Sequence, residues 1–511
     1  MQKFDSTVFA APKSAEAQKR HPRGNCGCFS QDGHRGWYAS QYTISTRMIV
    51  NFAERAHNHN WELDPVTRSL LDTDFYKLLM LQFIWKHYPK AQVSFSLLNR
   101  STSVRLADMF SREELIHQME HARRLRFRRS ELVWLAGNTF YGSRGIFEPA
   151  FLEWLERDFR LSDYELSIED GQFLLSFDGL WTETTMWELY ALSILDELKT
   201  RAGLKKLREF GLDILYARAK TKLWGKIERL RGVPGLAVAD FGTRRRHSFL
   251  WQEYVVNAMA ANLGSAFTGT SNAFLAHKHD LEAIGTNAHE IPMALGALAI
   301  DDDALKASQY RVLELWQATY EGALRVMLPD TFGTSQFLDN APDWAADWTG
   351  QRIDSKNPYI AGDEYIEWLK AHGRDPRDKL IIASDALDVD EILGLHAYFG
   401  GAIASPTAGT ATNGFRTAAD FLDPKRWTLG RRIRFSAGWG TLLTNDFRGC
   451  DPAGSGDFDP ISLICKVSTV DGRPAVKLSD NYAKALGTPS EIERYRRVFG
   501  SKGLSNVPVI T

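Results

Sequence analysis

Cysteine is scarce in this chain. It has four in 511 residues, Cys26, Cys28, Cys450 and Cys465, at spacings that make neither a disulfide framework nor a four-ligand zinc site. A reducing, cytoplasmic setting is the expectation. Charge of one sign is missing too, since 62 Lys and Arg stand against 63 Asp and Glu. That balance argues against a general attraction to nucleic acid or to an anionic membrane, so any anion site must be local. No apolar run approaches the roughly 20 residues that cross a bilayer, and the N-terminus lacks the apolar centre of a secretory signal. The chain therefore reads as soluble, with no membrane and no nucleic acid as partner. With 44% hydrophobic and 24% charged residues, it is long enough to bury a large core or two adjoining ones.

Residues 1–50 show no sustained periodicity and read as a disordered extension, with Met48 offering a second start for translation. Residues 51–185 read as a smaller α+β domain. "LLDTDFYKLLMLQFIWKHY" is a helix whose Asp-Thr-Asp start supplies capping oxygens, "AQVSFSLLNR" is a strand, and "YELSIEDGQFLLSFDGLW" is a hairpin turning at Asp170-Gly171. Over 186–454 the rhythm changes to short apolar runs, each followed by a helix: "GLAVADFGT", "SAFTGTS", "EAIGTNAH", "RVMLPDTFGT", "GQRIDS", "KLIIASD" and "RIRFSAGWGT". Seven strands in βα alternation predict an α/β class and an irregular, mainly parallel barrel, with an open doubly wound sheet as the alternative. A Gly-, Ala-, Ser- and Thr-rich stretch at 400–432 reads as a flexible insertion, and 455–511 as a C-terminal segment packing on the first domain.

Five of these runs carry Gly-Thr near their C-terminal ends, at Gly242, Gly269, Gly285, Gly333 and Gly440. Glycine lets backbone N–H groups approach an anion and threonine adds a hydroxyl, so recurrence at equivalent strand ends predicts one phosphate-friendly cavity. Single pairs fill ordinary turns and carry no weight. Arg244, Arg245 and Arg246 follow the first of these turns. They point in different directions, so one or two suit a phosphate fork, while the plain alternative is a solvated basic turn. Asp354 and Asp385 end two strands, where a carboxylate either caps a helix or steadies a positively charged sugar. The pairs in "HNH" (57–59) and "HKH" (277–279) lack further metal ligands and read as surface histidines. His289 stands directly before an apolar helical pattern. The helix dipole there keeps the ring neutral and nucleophilic, although a lone strand-end histidine more often hydrogen-bonds a carbonyl and fills space.

In order, "LLDTDFYKLLM", "DFGTRRRHSFLWQ", "FTGTSNAFLA", "IGTNAHE", "SAGWGTLLTNDF" and "KLSDN" closely resemble bacterial nicotinate phosphoribosyltransferases, over roughly Asn58 to the C-terminus without the 400–432 stretch. The resemblance implies a type II phosphoribosyltransferase-like fold, in which a smaller α+β domain joins an irregular barrel. It also implies condensation of nicotinate with phosphoribosyl pyrophosphate (PRPP) to nicotinate mononucleotide and pyrophosphate. That reaction is coupled to ATP as co-substrate, with Mg²⁺ on the phosphates, as the entry step of NAD salvage. By the same resemblance His289 is transiently phosphorylated, and Tyr76, Thr270 and Arg352 contact nicotinate. Thr441 matches a diphosphate-contacting position, and sites in the family often lie across a homodimer interface. From the residues themselves, Thr243, Arg244 and Gly440 are the further candidates for phosphate or PRPP, and Asp354 and Asp385 for the sugar side.

One departure stands out. Many relatives read Arg-x-Asp-Ser-Gly-Asp where this chain reads "RIDSKNP", with Lys356-Asn357 in place of Gly-Asp. The lost carboxylate leaves the metal ligands unassigned. Two other readings stay open at this point: the same transfer to nicotinamide, and a non-catalytic nucleotide-binding relative.

Overall fold

The computed structural model describes residues 65–142, 145–400, 432–500 and 505–506. The N-terminal extension, the "HNH" histidines and nearly all of the 400–432 stretch lie outside them. Among the described residues no helix is long and apolar enough to cross a membrane.

Helix α1 (Phe75–His87) begins where the sequence places it, but its start is held differently from the expectation. Asp74 occupies the N-cap without making a side-chain cap bond. Its carboxylate instead accepts from Ser271 Oγ at 2.6 Å, and Asp72 forms a buried pair with Arg246 at 2.6 and 2.9 Å. The capping prediction is thus corrected. Both carboxylates tie the helix start to turns that follow distant strands.

Among the described residues eleven strands form two sheets. β1 (Gln92–Asn99), β2 (Glu165–Glu169) and β3 (Gln172–Leu180) belong to the first. β4 (Val238–Asp240), β5 (Phe267–Thr270), β6 (Val326–Met327), β7 (Gly350–Ile353), β8 (Leu380–Ala383) and β9 (Arg434–Trp439) make the second, and β10 (Leu463–Val470) and β11 (Arg473–Pro474) return to the first. The antiparallel sheet has the order β11-β10-β1-β3-β2. Its β2–β3 hairpin turns at Asp170-Gly171, where φ values of 49° and 74° supply the two left-handed residues of a tight primed turn. β10 runs antiparallel to β1 from Val93 with Val470 to Asn99 with Leu463, with one register shift between Ser94 and Phe95, so a C-terminal strand sits inside an N-terminal sheet.

The second sheet is parallel throughout, in the order β5-β4-β9-β8-β7-β6. Six of the seven expected strands form. The seventh run, "EAIGTNAH", makes one parallel bridge, Thr270 with Ala283, and then leaves the sheet. Gly285 explains its route, since the chain passes so close to α1 that a Cβ there would lie 2.8 Å from Tyr76 N. No ladder joins this segment to β6 among the described residues. The two edges meet through the Asn287 side chain, whose Nδ2 donates to Val326 O at 3.1 Å. The α/β class with a smaller α+β domain holds, while among the described residues no strand pair closes the parallel sheet into a barrel.

Helix α2 (Trp187–Lys206) packs against β10 and against the 243–245 turn, and every residue from Trp187 to Leu204 is buried. Its polar residues are therefore paired. Glu188 meets Lys77 at 2.7 Å and also Lys466, Glu197 meets Arg201 at 2.8 Å, and Lys199 donates to the carbonyls of Asp457 and Asp459. Removing one member of such a buried pair typically costs about 3–5 kcal/mol, because the other charge is left stranded.

Candidate functional site

The C-terminal ends of the parallel strands face a cavity of about 390 Å³. This is where an open parallel α/β sheet presents its connecting loops to a ligand. Nine Arg and Lys side chains line it against three aspartates, Asp74, Asp354 and Asp385, although the chain as a whole is near neutral. The local excess of positive charge defines an anion pocket.

The predicted residues divide into those at the cavity and those behind its wall. Tyr76, Arg244, His289, Arg352, Asp354, Asp385, Gly440 and Thr441 all line it. Thr243 and Thr270 do not. Thr270 Oγ1 donates to Asp240 at 2.7 Å, and Thr243 Oγ1 accepts from Gln252 at 3.2 Å, within a buried network under the floor. The five Gly-Thr pairs therefore do not all face the cavity as expected. Gly242, the Gly285 pair and the Gly440 pair reach it, whereas Thr334 gives its N–H and hydroxyl to Asp480 at 2.8 and 2.6 Å. Of the three arginines, Arg244 and Arg245 face the cavity, and Arg246 is the fully buried partner of Asp72. The "HKH" pair is not a surface pair either. His277 packs on Trp134 with ring centroids 5.3 Å apart, and His279 Nε2 meets Glu253 at 2.7 Å.

His289 is the N-cap residue of helix α3 (Glu290–Leu298) and only 4% exposed. Its Nδ1 lies 2.9 Å from Thr331 Oγ1, and its Nε2 lies 3.1 Å from Asp354 Oδ2 and 3.6 Å from Asp330 Oδ1. Burial is the main reason the ring stays neutral, lowering its pKa to about 4 against the pull of Asp330 and Asp354. This corrects the emphasis on the helix dipole. Nε2 is the nitrogen on the cavity side, because Asp354 lines the cavity and Thr331 does not. The Thr331 hydroxyl both donates and accepts, so it serves either tautomer of the ring. Burial also opposes charge on Asp354, yet Arg352, His289 and Lys477 outweigh it and hold that carboxyl well below the usual range. Arg352 donates to Asn287 O at 3.1 Å, which fixes the guanidinium beside the loop that carries His289.

Asp330 and Thr331 are site residues that the sequence reading missed, although they sit in "RVMLPDTFGT", where attention went to the Gly-Thr pair. His289, Asp330 and Asp354 bring one ligand atom each within 4.8 Å of one another. Asp330 Oδ1 is buried without a hydrogen-bond partner among the described residues, which suits a hard cation. Phe241 and Tyr141 also line the cavity, as do Arg100, Lys466, Lys477 and Lys484. The Tyr141 hydroxyl accepts from Gly285 N at 2.6 Å and donates to Gly285 O at 3.0 Å, so it clamps the His289 loop. Asp385 sits at the rim, paired with Lys484 at 2.5 Å.

The "SKNP" departure is accommodated locally. Asn357 Oδ1 accepts from Tyr359 N and Ile360 N at the start of helix α4 (Pro358–Ala371), and Lys356 Nζ meets Glu364 at 2.6 Å and Ser335 at 2.8 Å. Neither side chain lines the cavity.

A parallel sheet carrying a buried histidine and a cationic cavity at its strand ends defines a phosphate-handling α/β protein. Two family models match the chain: the nicotinate phosphoribosyltransferase (NAPRTase) family over residues 236–413, and the N-terminal domain of that family over residues 71–196. Three solved structures agree. A nicotinate phosphoribosyltransferase from Vibrio cholerae is 29% identical with a TM-score of 0.70, over 86% of this chain and 94% of that one. One from Porphyromonas gingivalis is 26% identical with a TM-score of 0.69, over 85% and 100%. A putative one from Saccharomyces cerevisiae is 25% identical with a TM-score of 0.69, over 86% and 99%. The chain belongs to the nicotinate phosphoribosyltransferase family.

Proposed function

We propose that this protein joins nicotinate to PRPP, giving nicotinate mononucleotide and pyrophosphate in NAD salvage, and that ATP drives the reaction through transient phosphorylation of His289. The observation that carries this reading is the buried, neutral His289 at the wall of a cationic cavity, with Asp330 and Asp354 on its cavity side. In the phosphorylating step the ring takes the tautomer with its proton on Nδ1, donated to Thr331 Oγ1, and the Nε2 lone pair, no longer engaged with Asp354, forms a bond to the γ-phosphorus of ATP. The bond from phosphorus to the β,γ-bridging oxygen breaks, and its electron pair leaves with ADP. Asp330 and Asp354 would hold a Mg²⁺ on the phosphates, which would supply charge neutralisation there. In the transfer itself the pyridine nitrogen bonds to the sugar C1 as the C1–oxygen bond breaks and pyrophosphate takes the electron pair.

Arg352 suits the nicotinate carboxylate by charge and planar geometry, and Tyr76 and Phe241 offer aromatic faces to the pyridine. Gly242, Arg244, Gly440 and Thr441 suit the phosphates, and Asp354 and Asp385 the growing positive charge on the sugar. Thr270 acts from behind the wall, by holding Asp240. The test is incubation with γ-labelled ATP together with an assay of nicotinate mononucleotide. Label on wild type and none on His289→Ala is expected. A wild type that makes no nucleotide sinks the reading. Nicotinamide added in competition should leave the rate nearly unchanged.

A further inference from the structure

Among the described residues the almost fully buried lysines and arginines are paired, Lys477 excepted, while Arg244 and Arg245, half-buried at the cavity, also lack an ion pair and Arg245 Nε has no hydrogen-bond partner. Lys77 is held by Glu188 and Glu290, Arg246 by Asp72, and Lys199 by two carbonyls. Among the cavity lysines, Lys466 pairs with Glu188 and Lys484 with Asp385. Lys477 lines the same cavity and is only 7% exposed, yet among the described residues its ammonium has neither a hydrogen bond nor an ion pair. The Lys477 ammonium therefore faces the cavity without a hydrogen-bond acceptor or ion-pair partner of its own.

Its position is set by the residue that also holds His289. Leu478 N and Ser479 N both donate to Thr331 O, at 2.9 and 3.1 Å, while Thr331 Oγ1 contacts His289 Nδ1 at 2.9 Å. On its other side the Lys477 backbone exchanges N–H···O bonds with Leu486, at 3.0 and 2.9 Å. Lysine and histidine are thus registered to one threonine by two short, independent connections. The charges around the Lys477 ammonium are Asp330 and Asp354 of the histidine site and the cavity lysines Lys466 and Lys484, and burial, with the two lysines, lowers it to about 8.

We infer that Lys477 is a catalytic residue of the phosphorylating step, its Nζ donating to the non-bridging oxygens of the phosphoryl group as that group passes from ATP to His289. This rests on the reading that His289 is phosphorylated. The transferred group brings the negative charge that the lysine lacks in the free protein, and the ammonium stabilises the oxygens while the N–P bond forms and the P–O bond breaks.

The test is rapid-quench measurement of His289 labelling from γ-labelled ATP in wild type, Lys477→Met and Lys477→Arg, with thermal melting of each protein without ligand. Lys477→Met should label roughly 100-fold more slowly, and Lys477→Arg should recover part of that loss. Met takes nothing from a partner, so its ligand-free melting temperature should equal or exceed that of wild type, which a merely structural lysine would not allow. If wild type is labelled and Lys477→Met is labelled equally fast, the lysine assignment fails alone. If Lys477→Met melts well below wild type, Lys477→Arg decides. Arginine that labels at the wild-type rate while it restores melting overturns the assignment, and arginine that restores melting but still labels slowly upholds it. A wild type that never takes label removes the histidine reading, and the lysine assignment with it.

Discussion

At the scale of single residues, environment sets chemistry more than residue type does. His247 and His289 are both buried, but His247 stacks on Phe447 at 3.6 Å and bonds Tyr216, whereas His289 meets two carboxylates at a cavity. For His289 the folded pKa is about 4 against an ordinary 6.5. Between those values the unfolded chain takes up a proton that the native ring refuses, so this contribution is fully present above pH 6.5 and is lost as pH falls towards 4. Going from pH 7.5 to 5 should therefore remove on the order of 2 kcal/mol from wild type and not from His289→Asn. Thermal melts at the two pH values check this, and an equal loss in both proteins would show that the ring is not held neutral.

At the scale of elements, Asn357 bonds two backbone N–H groups at the start of α4. Asn357→Ala should lower stability by about 1 kcal/mol, read as a lower melting temperature with little change in substrate KM. A large rise in KM would place Asn357 at the ligand instead. Element by element, β1 to β9 and the hairpin turn were legible in the sequence, because alternation and Gly-rich strand ends are local signals. By contrast, "EAIGTNAH" reads as a strand that does not form, and β10 and β11 were not read at all. The burial of α2 is not legible in the sequence, since Glu188, Glu197 and Lys199 are matched by partners from distant segments. The same limit hid half of the site. His289, Arg352 and Asp354 stand in recognisable motifs with a role attached, Lys477 stands in "KLSDN" without one, and Asp330 and Thr331 belong to the site only because separate segments converge. Thr243 and Thr270 mark the opposite failure, where a correct motif did not reveal which way the hydroxyl points.

At the scale of the whole molecule, the C-terminal segment joins the two sheets functionally. β10 carries Lys466, and the chain after it brings Lys477 and Lys484 to the cavity formed by the parallel strands. A chain stopped after Pro460 loses the strand beside β1 together with three cavity lysines. It should therefore be protease-sensitive and show no cooperative melt, as measured by limited proteolysis and calorimetry. A soluble truncated chain with a sharp melt would show that β10 is dispensable to the fold.

The position of β10 also sets a schedule. β1 ends at Asn99 and its neighbour begins at Leu463. At about 5–20 residues per second, a ribosome takes roughly 20–70 s to deliver the second after the first. For that interval one edge of β1 has no partner, although β3 already covers the other. An unpaired edge is a template for the wrong strand. Newly made chains are therefore at their most aggregation-prone near the end of synthesis, and a chaperone that shields this edge should raise the yield of active protein more than one acting on the finished chain.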